Sequence, residues 1–231
     1  FVRWADQVNA ERGRALEFEE ILGYHLEQAH RYLGELGPLD EQGVAIGINA
    51  AHRLTGAARR AFARGDMHAA VNLYRRSTAL LPADHAQRLA LLPELGETLM
   101  ELGDFADARA VLDEAATTAE QVGNLRVRAS ARIVRMLVRL YSAEPGDWSS
   151  AALQVAEETI PLLERENAHD ELANAWRLSG QVHGIAMRPS SPTGMGTIGT
   201  RLIFLLPGNP VSALCAYDFF AGRAIRLRGG R

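Results

Sequence analysis

The residues best suited to chemistry lie near the end of this sequence. Positions 201–206 read RLIFLL, a short apolar run that predicts a strand. Pro207, Gly208, Asn209 and Pro210 then form a tight loop. Asn209 is a good N-cap and Pro210 a good first residue for a helix predicted over 211–227. A loop between a strand and a helix N-terminus presents unpaired backbone N–H groups and the positive end of the helix dipole, which favour an anion. Ser212 adds a hydroxyl in the first turn, and Arg188 would grip a phosphate bidentately if the fold brings it near. Two readings stand side by side: an anion site built from Arg188, Pro207, Gly208, Asn209, Pro210 and Ser212, or a capped turn with no ligand.

Other candidates carry less. Gly194, Gly196 and Gly199 match G-x-G-x-x-G, but a dinucleotide fingerprint needs a strand before it and a helix after it. Here a Pro/Ser loop precedes and a strand follows, so the glycines are expected to turn the chain between two strands. His25 and His30 are five residues apart on a predicted helix and fall on different faces, against a metal site. The expectation is that His25 packs and His30 is solvated. Cys215 sits one turn into an apolar helix and reads as a small buried hydrophobe. Arg126, Arg128, Arg132, Arg135 and Arg139 lie off the apolar stripe of Ile133, Leu137 and Leu140. Such a face could bind phosphate or an acidic partner, and its ordinary fate is solvation. No Ser-His-Asp, Cys-His or paired-carboxylate arrangement stands out, so no residue is assigned a catalytic role.

The elements that must position these residues are mostly helical. Gly65-Asp66 recurs 38 residues later as Gly103-Asp104. Each pair is followed at the same offset by an alanine (Ala70, Ala108) and then by a bulky residue (Tyr74, Leu112). A period of this size marks stacked helical hairpins, each too small to bury its apolar face alone. The fold class expected is mainly α: a tetratricopeptide-like helical-hairpin array, an α-solenoid of seven or eight helices, with a short C-terminal α/β segment. Residues 1–38 form a helical lead-in whose helix, over 15–34, is stopped by Gly34 and by Gly37-Pro38. Residues 39–183 form the repeats, with hairpins over 43–81 and 86–121, a unit over 125–166 turning at Gly146-Asp147, and a fourth beginning at Glu171. Pro93 is expected to start a new helix or to kink one. Near 183 the composition shifts abruptly to Gly, Pro, Ser and Thr, opening a third segment, 184–231.

Composition narrows the classes. The formal charge of −3 and a pI near 6.2 argue against a nucleic-acid footprint. A single cysteine excludes an internal disulfide and fits a reducing cytoplasm. No apolar run approaches the length of a membrane span. Phe1 reads as a cut inside a larger protein or as the product of processing.

Two resemblances follow. The words EEILGYHLEQAHRYLGELGPLDE, ARGDMHAAVNLYRRSTALLP and AWRLSGQVH make residues 19–183 resemble the helical-repeat region of bacterial adenylate/guanylate cyclase and LuxR-type regulators with an AAA-like ATPase. That likeness implies a cytoplasmic regulatory module that takes a protein or peptide on a concave surface. That family's phosphate-binding Lys-Ser/Thr loop and cyclase aspartates are not in this sequence, so its activities are not carried over. Residues 182–231, with MRPSSP and LPGNPVSALCAYDFFAGRAIR, resemble the end of the molybdopterin-binding domain of molybdopterin molybdenumtransferase. By that likeness Pro207, Gly208, Asn209, Pro210 and Ser212 contact the pterin phosphate, Arg188 replaces a first lysine, and Ser191 replaces a second. Molybdopterin and molybdate, with Mg2+, are the ligands this implies, and molybdenum transfer the activity.

Overall fold

The computed structural model describes residues 2–11, 15–83, 85–142, 144, 148–183, 194–198, 201–205, 213–214, 217 and 221–228. These residues are mainly α-helical. They divide into two compact units, Phe1–Val122 and Gly123–Arg231.

The first unit contains α1 (Val2–Glu11), α2 (Ala15–Leu36), α3 (Glu41–Ala63), α4 (Met67–Ala79), α5 (Ala86–Leu102) and α6 (Phe105–Gln121). Consecutive helices from α1 to α6 pack on one another. The two recurring corners are built alike. Gly65 and Gly103 take φ of 79° and 86°, the left-handed region that glycine enters at least cost. Asp66 then accepts from the Ala69 amide at 3.1 Å, and Asp104 from the Asp107 amide at 3.4 Å. Each carboxylate thereby satisfies an orphan donor at the start of the following helix. Ala70, Tyr74, Ala108 and Leu112 are all buried, as the 38-residue recurrence requires. α5 and α6 come close at Gly96, where an added Cβ would lie 2.6 Å from Leu112.

Three local expectations need correction. α2 runs past Gly34 to Leu36 and stops at Gly37-Pro38, the second of the two expected breaks, with Gly37 at φ 156°. The histidines exchange roles: His25 is exposed, while His30 reaches into the contact with α3. There His30 Nδ1 lies 3.0 Å from the Gly43 carbonyl, and its ring fills the space above Gly47, where a Cβ would come within 2.7 Å of it. Gly47 makes room, and Gly43 offers a carbonyl, that a stripe of large residues alone did not reveal. Pro93 is buried within α5, which continues through it, so it does not start a new helix. Packing on the neighbouring helices overrides the loss of one backbone donor.

The second unit contains α7 (Leu125–Tyr141), α8 (Trp148–Arg165), α9 (His169–His183), the strands β1 (Gly194–Ile198) and β2 (Arg201–Leu205), and α10 (Gly222–Arg228). Asn124 caps α7 by accepting from the Val127 amide at 3.0 Å. α7 buries Ile133 and Leu137 and packs on both α8 and α9. Between α8 and α9, Asn167 takes the left-handed conformation at φ 52°. Gly146 and Asp147 lie outside the described residues. β1 and β2 pair antiparallel, Gly194 opposite Leu205 through Ile198 opposite Arg201. Gly194 and Gly196 therefore belong to a strand instead of a turn, and Gly199 lies outside the described residues.

Candidate functional site

Among the described residues, a groove of about 480 Å³ opens along α3 in the first unit. It is lined by Glu19 of α2, by Ala45, Ile48, Asn49, His52 and Arg53 of α3, and by Gln87 of α5. The α3 positions recur at i, i+3, i+4, i+7 and i+8, so one helical face presents them all. The opposite face explains why α3 is held in place: Ala50, Ala51, Leu54, Ala57, Ala58 and Ala61 are buried. Gln87 is positioned by the start of α5, where His85 Nδ1 accepts from its amide at 3.2 Å.

The charges in this groove are neutralised before any ligand arrives. Arg53 donates from Nη2 to Asp6 Oδ2 at 2.7 Å and from Nε to Asn49 Oδ1 at 2.9 Å. Arg60 donates to Glu19 Oε2 at 2.6 Å. Gly56 makes space for that carboxylate, since a Cβ there would sit 2.9 Å from Glu19 Oε2. The Asn49 amide nitrogen, the His52 imidazole and the Gln87 side chain are the groove's remaining polar groups. Such a set suits hydrogen bonding to a neutral polar chain, and it lacks a paired acid and base or a nucleophile beside a base.

A second cluster clamps α3, α4 and α5. Arg59 of α3 binds both oxygens of Glu94 of α5, at 2.7 and 2.8 Å, and the Tyr74 hydroxyl of α4 donates to Glu94 Oε2 at 2.8 Å. Burial, reinforced by the Glu94 charge, pushes the Tyr74 phenol well above its ordinary range. The hydrogen bonds to Glu94 raise Arg59 further and keep it charged. This triad joins three helices.

The arginines of α7 are also committed. Arg126 pairs with Glu171 at 2.7 Å, Arg132 with Glu158 at 2.8 Å, and Arg135 and Arg139 approach Glu144 at 3.6 and 3.4 Å. Gln154 and then Arg132 hold the Glu158 carboxyl below its usual range. The expected solvated arginine face is, at these four positions, an ion-paired one.

The sequence-derived anion site cannot be located here: Arg188, Pro207, Gly208, Asn209, Pro210 and Ser212 all lie outside the described residues, as does Cys215. The groove residues went unread in the sequence. Their signal was a row of small and polar residues (Ala45, Asn49, His52) on a helix whose other face is alanine-rich. Among the described residues no group of three or more His, Cys, Asp or Glu could hold a metal, and no helix is long and apolar enough to cross a membrane.

No family model matches the chain, and no solved structure matches it. Part of the chain is similar to "Molybdopterin molybdenumtransferase 2" of Mycobacterium tuberculosis, in strain CDC 1551 / Oshkosh and in strain ATCC 25618 / H37Rv. Each comparison gives 41% identity over 46 residues, 20% of this chain and 11% of the relative. The chain thus spans about a tenth of the length of the curated relatives it matches.

Proposed function

We propose that residues 39–183 form a tetratricopeptide-like, protein-binding regulatory module, cytoplasmic and part of a bacterial signalling ATPase or transcriptional regulator. The observation that carries this reading is the α3 groove, whose charges are already paired and whose remaining groups, Asn49, His52 and Gln87, suit the main chain of a peptide. The recurrence of the two capped corners supports the hairpin array. The test is selection of binders from a random peptide display library on the purified chain. Peptides should bind in the micromolar range and lose at least about tenfold on the double substitution Asn49→Ala, His52→Ala, the order expected for two lost hydrogen bonds. Equal binding by that variant would remove the groove from the proposal.

A second reading rests on a different observation, the 46-residue similarity to a molybdopterin molybdenumtransferase together with the PGNPVS word. On this reading the 184–231 segment is a partial α/β pterin-binding segment. Arg188, Pro207, Gly208, Asn209, Pro210 and Ser212 would hold molybdopterin and molybdate with Mg2+. Calorimetry with molybdopterin or its adenylated form tests it. Micromolar binding lost on Asn209→Ala or Ser212→Ala is the expected result, and no heat of binding ends the reading.

A further inference from the structure

The outward face of α2 carries four exposed large side chains among its polar ones. Ile21, Tyr24, Tyr32 and Leu36 are 52, 48, 54 and 86% exposed. Together with His25 and Gln28 they form one stripe at helical spacing, on the side away from the contact with α3 made by Leu22, Gly23 and His30. Glu35 also falls on this stripe, with Arg31 at its edge. Arg31 pairs with Glu35 at 3.7 Å and also lies 4.9 Å from the Tyr32 ring centroid. Glu27 takes the Arg76 guanidinium in a bidentate pair.

The order of residues along the stripe has a mirror point between Gln28 and Ala29. Ile21 and Leu36 stand equally far from it, and so do His25 and Tyr32. We propose that this face binds a second copy of the chain, two α2 helices lying antiparallel about a two-fold axis that passes near Gln28. Apolar then meets apolar, Ile21 against the partner's Leu36. Aromatic meets aromatic, His25 against the partner's Tyr32, and Arg31 lies beside the partner's Tyr24. A two-fold interface uses one patch twice, so a self-complementary order of residues is what it requires.

The area agrees with a reversible pair. Large side chains carry roughly 150–200 Å² each. With four of them about half exposed or more, covering the stripe completely buries on the order of 500 Å² per copy and 1,000 Å² in all, the threshold for a specific interface. The association is therefore concentration-dependent, and the molecular mass should rise from 25.2 kDa to twice that value across the micromolar range.

Sedimentation equilibrium on the intact chain, combined with cysteine cross-linking, tests this. Tyr32→Glu with Leu36→Glu should hold the mass at 25.2 kDa at every concentration. A Gln28→Cys variant should link to its own kind, because the two positions meet at the axis. Leu36→Cys should not, since the rise per helical residue sets those positions about 22 Å apart. Mixing Ile21→Cys with Leu36→Cys chains should restore the link, with mass spectrometry separating these products from any at Cys215. A wild-type chain that stays at 25.2 kDa overturns the proposal. So does a double-Glu variant that still doubles its mass, or a Leu36→Cys variant that links as well as Gln28→Cys.

Discussion

Leu112 seats against Gly96, so that a Cβ on the glycine would fall 2.6 Å from both Cγ and Cδ2 of the leucine. The leucine is fully buried and has little room to retreat. Gly96→Ala therefore sets a helix-propensity gain of about 1 kcal/mol against an overpacking cost of about 1–3 kcal/mol. The expected net is a loss of about 1 kcal/mol, read from urea unfolding followed by circular dichroism. Leu112→Ala should cost about 2–5 kcal/mol by opening a cavity. The double variant should lose less than the two single losses added, because the smaller side chain relieves the clash.

Tyr74→Phe removes one hydrogen bond to Glu94 and keeps the ring, so the loss should be about 1–2 kcal/mol near neutral pH. The pH dependence has a definite sign. In the folded chain the phenol is raised by burial, then by Glu94, while in the unfolded chain it titrates at its ordinary value near 10.0. Between the two the folded form keeps a proton that the unfolded form releases. The stabilisation is thus complete below pH 10 and falls as pH rises above it. Thermal unfolding from pH 8 to 11 should show a steeper alkaline decline for the wild type than for Tyr74→Phe. Parallel curves would contradict the placement of this hydroxyl.

Asp66→Ala and Asp104→Ala each delete a helix cap and should each cost about 1 kcal/mol. Gly65→Ala and Gly103→Ala force a side chain into the left-handed region, at about 1–2 kcal/mol each. Because the corners share a geometry, the four losses should match in pairs, which denaturant midpoints will show.

Four of the α7 arginines, Arg126, Arg132, Arg135 and Arg139, lie against acids of the same unit, so the chain should pass through a heparin column at a physiological ionic strength of about 0.15 M. Glu158→Gln with Glu171→Gln releases Arg132 and Arg126 and should produce retention. If the wild type is itself retained at that ionic strength, these pairs do not persist in solution.

The hairpins were legible because their corners are local. A glycine needing positive φ and an aspartate capping the next turn are both visible within three residues of text, as at Gly103-Asp104. The buried offsets at Ala70, Tyr74, Ala108 and Leu112 followed from the same recurrence. What escaped depended on distant partners. His30 is held by Gly43 and Gly47, which nothing near position 30 announces, and so the two histidines were read the wrong way round. The groove on α3 escaped for a similar reason. Asn49, His52 and Arg53 become a site only when Asp6, Glu19 and Gln87 arrive from other helices. The anion loop was the clearest chemical word in the sequence, and its residues fall outside those the structure describes.

The corners at Gly65-Asp66 and Gly103-Asp104 draw every bond they need from residues only a few places away. A chain emerging from the ribosome can therefore shut each pair of helices as soon as its second member is made. Little searching is left for the later stages, since contacts between near neighbours form quickly. Synthesis order and folding order should therefore coincide through this stretch.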